Sequence, residues 1–405
     1  MSFVTCLRSI YTGSEFPAFE TPDAGPVEMI LDMDRLRRER PGMSWYVPER
    51  RDMWRFGALL PLDITDTRDA SFVVTLGEGY TPLLPFEHHP LAQKVGFRLF
   101  VKDEGEPHPG FGANPTRSFK DRGMAMVVSM ARRLGISRVA VPTQGNAGDS
   151  LVAYALAAGL EAAVVAPLDA PAPILRSLQH AVKRHPTIRL ELVSGTIREA
   201  AAVVREKYLP EGYVNVATFQ EPGWRIEGKK TLGFELAEQP DGRWVLPDVV
   251  VYPTGGGTGI LGMWKAFDEL ERLGMIDARR PRMVAVQAAP TAPIVRAFDG
   301  GETDVMPVEA GTTIAAGLNV PAGIGHRRVL EIVRESGGAA VDVAEESIRS
   351  MLRTVISRSI CPEGAASLAA LDEIVELGII GSGDRVVVFN TASSRKYFDS
   401  VEDLD

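Results

Sequence analysis

The sequence predicts an α/β protein with two doubly wound, mostly parallel sheets and a cleft between two lobes. Three observations carry that prediction. From about residue 97 onward, short β-rich runs alternate with helical stretches, the pattern of a parallel sheet covered on both faces. The strands are too many for one small sheet. Two of them run straight into glycine- or amide-rich turns that open a helix, and parallel sheets gather ligands at such strand ends.

Taken in order, the β-rich runs fall at 98–102, 138–142, 162–167, 189–193, 213–216, 248–252, 282–287, 340–343 and 384–389. Helical periodicity is read at 124–134, 149–158, 174–184, 196–208, 225–237, 259–273, 345–358 and 364–377. A division follows into a small domain, 115–217, and a larger discontinuous one, 1–114 plus 218–405. The first hundred residues are irregular, and the mixed charges from Asp34 to Arg40 read as a solvated helix face. The segment 290–321 reads as a long loop able to cover a site.

Composition narrows the function classes. In 405 residues, 45% hydrophobic and 24% charged describes an ordinary globular chain, with no apolar run long enough to span a bilayer. Residues 1–15 lack the apolar core of a secretory signal, so a cytoplasmic location is expected. A net charge of -9 argues against nucleic acid or a membrane surface as partner. Cys6 and Cys361 are the only cysteines, too few for a disulfide framework or a four-cysteine zinc site in one chain. The histidines show no ligand spacing, and no metal is expected.

The segment from Asn114 to Gly123 places Lys120 where a polar turn gives way to an apolar helical run. Pro115 keeps Asn114 extended, and Met124, Met126, Val127, Met130 and Ala131 recur at helical spacing. An amine near the positive end of a helix is biased toward its neutral, nucleophilic form. Such an amine can form a Schiff base with a carbonyl cofactor and then carry protons. An ordinary surface lysine beside Asp121 and Arg122 is the alternative that the rest of the chain has to overturn.

Two turns supply that company. The run 253–264 follows a strand and becomes a helix, with Gly255, Gly256, Gly257, Thr258 and Gly259 removing side chains where backbone N–H groups can close on an anion. Gly257, Gly259 and Gly262 also spell a dinucleotide fingerprint, although three glycines in succession suit a single-phosphate cup better. The second turn, 142–150, offers Thr143, Gln144, Gly145, Asn146 and Ala147 to a carboxylate or a cofactor oxygen; alternatively Asn146 or Asp149 caps the helix. A third segment puts Thr391 at the carboxyl end of the last strand.

Lysine turn, Asn-bearing turn, glycine cup and terminal hydroxyl come in the order seen in pyridoxal-phosphate enzymes of the tryptophan synthase β-subunit fold, which the chain resembles. Within that superfamily it most resembles the threonine synthases. The likeness runs from Leu76 to Thr391, through the segments 76–83, 225–231, 283–288, 313–317 and 362–366. It implies pyridoxal 5'-phosphate as cofactor in the cleft, with the large domain binding its phosphate and the small domain a substrate carboxylate. Lys120 would be the Schiff-base lysine with Phe119 beside the ring, and Asn146 would meet the 3'-oxygen. Gly255, Gly256, Gly257, Thr258 and Gly259 would hold the phosphate, and Thr391 would face the pyridine nitrogen. Thr143, Gln144, Gly145 and Ala147 would hold the carboxylate of an amino-acid substrate. A homodimer is also implied.

Departures matter equally. Many relatives carry an N-terminal zinc ribbon, and here Cys6 is the only cysteine in that region. Arg117 stands where threonine synthases more often have glycine, and Gln144 and Asp149 are also unusual. If the substrate is O-phosphohomoserine, its phosphate needs a second anion site, for which Arg117, Ser118 and Arg122 are candidates. An ammonia-lyase or β-replacement enzyme needs no such site. A nicotinamide-dependent oxidoreductase is the reading from another class, left open by the fingerprint.

Overall fold

A computed structural model of the chain describes residues 2–20, 22 and 25–398. Thirteen strands occur among the described residues: β1 (Val4–Ser9), β2 (Glu15–Pro17), β3 (Val27–Leu31), β4 (Leu83–Pro85), β5 (Arg98–Asp103), β6 (Arg138–Pro142), β7 (Glu161–Pro167), β8 (Ile188–Val193), β9 (Val214–Asn215), β10 (Val249–Pro253), β11 (Arg282–Ala288), β12 (Ala339–Val343) and β13 (Arg385–Asn390). They form three sheets, β2-β1-β3, β8-β7-β6-β9 and β12-β11-β10-β13-β5-β4. Every pairing in the second is parallel, and in the third only the edge strand β4 runs antiparallel. The expected pair of parallel-rich sheets is therefore present. Among the described residues no helix is long and apolar enough to cross a membrane.

The chain divides into two compact units. One takes the chain up to Tyr80 with Asn114–Thr231, and the other takes Thr81–Ala113 with the chain from Leu232 on. Against the expected 1–114 plus 218–405 and 115–217, the chain up to Tyr80 groups with the 114–231 segment, and the later break falls at 231/232 instead of 217/218. The reason lies in how the N-terminal region is tied down. Asp69 pairs with Arg133 at 2.5 Å, Ser129 Oγ accepts from the Val74 N–H, and a Cβ on Gly223 would stand 2.8 Å from the Val27 carbonyl oxygen. The second boundary falls inside the Trp224–Ala237 helix, whose first half packs on the Lys120–Arg133 helix. Gly228 permits that approach, since a Cβ there would run into the Arg122 carbonyl.

In the first unit, the 76–80 segment is organised by Glu78, which is wholly buried. Its carboxyl group accepts from Trp54 Nε1 at 2.8 Å, Tyr154 OH at 2.8 Å and the Leu76 N–H at 2.9 Å. In the second unit, β10 is buried along its whole length and flanked by β11 and β13. Because β10 and β13 are parallel and in register at Val251 and Val388, Pro253 and Asn390 end side by side. That register brings the glycine turn and Thr391 to neighbouring strand ends.

Most of the strands and helices lie within a few residues of the readings above. The 290–321 segment is not simply a loop: it contains the Pro293–Asp299 helix and a short 3-10 turn, Ala316–Leu318. Helices Pro90–Val95 and His326–Glu335 and the antiparallel β1–β3 sheet were not anticipated. The charged run does form a helix, Met33–Glu39, capped by Asp32 and mostly solvated.

Candidate functional site

Lys120 opens the Lys120–Arg133 helix and is half-buried. The turn before it is held by Asp121, which is wholly buried and accepts from the Thr116 N–H (2.7 Å), Thr116 Oγ1 (2.6 Å) and Ser150 Oγ (2.6 Å). Asp121 thus pins the turn to the Asn146–Ala158 helix. Arg117 sits in that turn at φ 58°, in the left-handed region where a side chain costs about 1–2 kcal/mol. The Lys120 Nζ lies 4.4 Å from the centroid of the Phe119 ring. A second ammonium, that of Lys229, lies 3.8 Å from the same centroid and donates to the Phe119 carbonyl. Gly123 leaves room for it, as a Cβ there would stand 3.2 Å from Lys229 Cε. Two lysine amines thus lie over one aromatic ring, that of Phe119.

Two of the expected substrate residues have other work. Arg122 is fully buried and donates to Thr231 Oγ1 at 3.0 Å, joining two helices. Ser118 is fully buried, and its Oγ accepts from the Lys120 N–H at 3.3 Å. Both are structural supports of the lysine turn. Of the three, half-buried Arg117 stays the candidate for an anionic substrate group.

The β6 turn is wound on Thr143, whose Oγ1 accepts from the N–H groups of Gly145 (2.9 Å) and Gly148 (3.3 Å). Gly145 takes φ 140°, and no side chain caps the helix that starts at Asn146. Neither Asn146 nor Asp149 is a cap; Asp149 instead accepts from Ser177 Oγ at 2.8 Å. An uncapped helix start is a ready site for a carboxylate.

In the second unit, β10 ends at Pro253 and the helix Thr258–Arg272 begins behind Gly257, at φ 77°, again without a side-chain cap. The glycines are demanded by packing. A Cβ on Gly255 would run into the Gly317 carbonyl, on Gly257 into Val329, and on Gly259 into the ring of Tyr252. Gly256 alone faces open space within 4 Å. Thr258 is buried, and beside the cup Thr391 Oγ1 stands 3.7 Å from Cys361 Sγ. Burial pushes the Cys361 thiol up, so it stays protonated beside that hydroxyl. Asn390 fixes this end of β13 by accepting from the Cys361 N–H at 3.0 Å and donating to Asp103 at 2.9 Å.

Several supporting residues carry no local sequence signal: Lys229 under Phe119, Tyr252 against Gly259, His326 on the Gly255 carbonyl, and Glu363, which accepts from the Gly317 N–H at 2.7 Å. Apart from Tyr252, which lies in the strand just before the turn, their partners are 46 to 110 positions away along the chain, so only tertiary structure reveals them.

The chain as a whole is similar to known proteins. A family model described as pyridoxal-phosphate dependent enzyme covers residues 74–392. The chain is 32% identical over 380 residues to a threonine synthase from Methanosarcina acetivorans, covering 92% of this chain and 85% of the relative. The threonine synthase of Methanocaldococcus jannaschii is 32% identical over the same share of the chain and 87% of its own length. Among solved structures, an L-serine ammonia-lyase from Rhizomucor miehei superposes with a TM-score of 0.63 at 20% identity, over 81% of this chain and 96% of that one. The processed form of threonine deaminase isoform 2 from Solanum lycopersicum gives 0.62 at 20%, over 80% and 85%. These two likenesses show the fold.

Proposed function

The chain belongs to the pyridoxal-phosphate-dependent enzyme family, and on that premise we propose that it converts O-phosphohomoserine and water to threonine and phosphate. The observation that carries the reading is the pair of threonine synthases that match 92% of the chain at 32% identity. Pyridoxal 5'-phosphate, the cofactor of the family, supplies when bound an aldehyde for amino groups and a ring that takes up charge from Cα.

The residues fit that group. The glycine turn, closed to side chains at Gly255, Gly257 and Gly259 yet open at Gly256, with an uncapped helix start behind it, suits a phosphate. Lys120 would hold the cofactor covalently, with Asn146 at the 3'-oxygen. Thr391 would meet the pyridine nitrogen with a hydroxyl, which cannot stabilise a pyridinium as a carboxylate does. Thr143, Gln144, Gly145 and Ala147 would receive the substrate carboxylate, the Gly145 N–H being already committed to Thr143.

Once its amine is released, Lys120 takes the Cα proton and then a Cβ proton, and returns protons as phosphate leaves Cγ and water adds at Cβ. Arg117 is the candidate for the departing phosphate. The same reading carries a homodimer in the cytoplasm. Incubation of the purified enzyme with O-phosphohomoserine should release equal amounts of phosphate and threonine. Release of ammonia and a 2-oxo acid from serine or threonine, without turnover of O-phosphohomoserine, would instead assign an ammonia-lyase.

A further inference from the structure

His326 belongs to none of the motifs above. It begins the His326–Glu335 helix, is 1% exposed, and brings its Nε2 to 2.8 Å from the Gly255 carbonyl oxygen. A carbonyl can only accept, so Nε2 carries the hydrogen and donates it. Nδ1 is then the unprotonated nitrogen, and among the described residues it has no hydrogen-bond partner. Burial pushes the imidazole down from its ordinary range, which keeps the ring neutral. The ring is wedged in place, since a Cβ on Gly323 would run into it. One turn later Val329 fills the space against Gly257, so this helix touches the glycine turn at two points.

A trans peptide sends its C=O and its N–H to opposite sides. With the Gly255 carbonyl held by His326, the N–H of Gly256 is directed away from His326, at the one glycine of the cup that faces open space. A peptide between two glycines has little intrinsic preference for that orientation. Turned over, it would present a carbonyl oxygen where an anion is to bind. We propose that His326 is a positioning residue for the cofactor phosphate: by holding the Gly255 carbonyl it fixes the Gly256 amide as a donor to the phosphate. The proposal rests on the reading of 255–259 as the phosphate cup.

The test uses the full-length apoprotein titrated with pyridoxal 5'-phosphate and, separately, with pyridoxal, followed by tryptophan fluorescence, with the apoprotein's thermal midpoint measured alongside. His326→Ala should weaken binding of the phosphorylated cofactor about tenfold, as loss of one hydrogen bond implies, and leave pyridoxal binding unchanged. His326→Gln, which restores a side-chain N–H, should recover part of the affinity, and the phosphorus resonance of the bound cofactor should move in His326→Ala and return toward its original place in His326→Gln. Equal affinity for the phosphorylated cofactor in His326→Ala and the parent overturns the proposal, and so does an equal loss toward pyridoxal. If His326→Ala does not fold, His326→Gln and His326→Asn decide: a change in the ratio of the two affinities supports the role, and an unchanged ratio in both overturns it. Gly256→Pro, which removes the amide hydrogen itself, separates this idea from its premise. An unchanged ratio there refutes the cup as the phosphate site. A reduced ratio there with a normal one in His326→Ala refutes only the positioning role.

Discussion

The β6 and β10 turns share a plan and use it differently. Each strand ends in proline followed by threonine, and each helix starts behind a glycine with positive φ and no side-chain cap. In the first, Thr143 gathers the N–H groups of Gly145 and Gly148, and the helix behind it is anchored through Tyr154 to Glu78 and through Ser150 to Asp121. In the second, the Thr254 hydroxyl donates back to the Tyr252 carbonyl at 2.8 Å, and the turn is held by the absence of Cβ atoms against Gly317, Val329 and Tyr252. One turn is held by a hydroxyl that takes two of its amides, those of Gly145 and Gly148. The other is built by close packing, with its threonine hydroxyl turned back to the strand. The same strand-to-helix junction is held in one unit by a hydroxyl turned onto two of the turn's own amides and in the other by close packing.

The largest effect that would break this division concerns chemistry. If reactivity belongs to the polar unit, Lys120→Ala should lower phosphate release from O-phosphohomoserine by three orders of magnitude or more, and borohydride reduction should then leave no cofactor adduct on the peptide carrying residue 120. Turnover in that variant near the parent's rate would remove Lys120 from the reaction.

Next comes pH. Burial pushes the Glu78 carboxyl up to about 7, from an ordinary value of 4.5, against the pull of its donors. The folded chain therefore keeps a proton that the unfolded chain gives up. This contribution to stability is complete below about pH 4.5 and is lost as pH rises through about 7, a difference on the order of 3 kcal/mol. Denaturant unfolding between pH 5 and pH 8 should show the parent losing stability over this window, and Glu78→Gln should lose less. Parallel pH curves for the two proteins would show that the anchor of the first turn is not a proton-linked one.

The two threonines sharpen the comparison directly. Thr143→Val leaves two buried amides without their acceptor and should cost about 2 kcal/mol, whereas Thr254→Val removes a single donor and should cost about 1 kcal/mol. Chemical denaturation measures both. Equal losses would mean that the hydroxyls do not set the difference between the turns.

How much of this could be read from the chain follows from the range of each interaction. Valine-rich parallel strands and the lysine turn are local patterns, and so is the run of glycines, so β10, the start of the Lys120–Arg133 helix and the glycine turn between β10 and its helix were legible. The β1–β3 sheet was not, because its strands are short and one of its edges is the three-residue β2. Its grouping with the first unit depends on contacts such as Asp69 with Arg133, 64 positions apart. Pro293 at the start of a helix was a readable signal, passed over in a segment dominated by loop residues. His326 and Lys229 reach their partners across 71 and 110 positions, and no spacing rule could have linked them. The hydrogen bonds of Arg122 to Thr231 and of Ser118 to the Lys120 N–H were not legible, because proximity to Lys120 in sequence says nothing about which side of the helix start a residue supports.

The smallest predicted effect bears on the residue left between the two styles of construction. Arg117 occupies a left-handed position in the polar turn, the conformation that glycine adopts without penalty. Arg117→Gly should therefore relieve backbone strain, with the gain reduced by the greater freedom of glycine in the unfolded chain, for a net stabilisation of under about 1 kcal/mol. If the strain is retained because the guanidinium receives the substrate phosphate, the same change should raise KM for O-phosphohomoserine while the protein becomes more stable. A stabilised enzyme with unchanged KM would show that Arg117 is tolerated rather than used. A destabilised one would mean that its side-chain interactions outweigh the cost of its backbone, making it a part of the polar scaffold like Asp121.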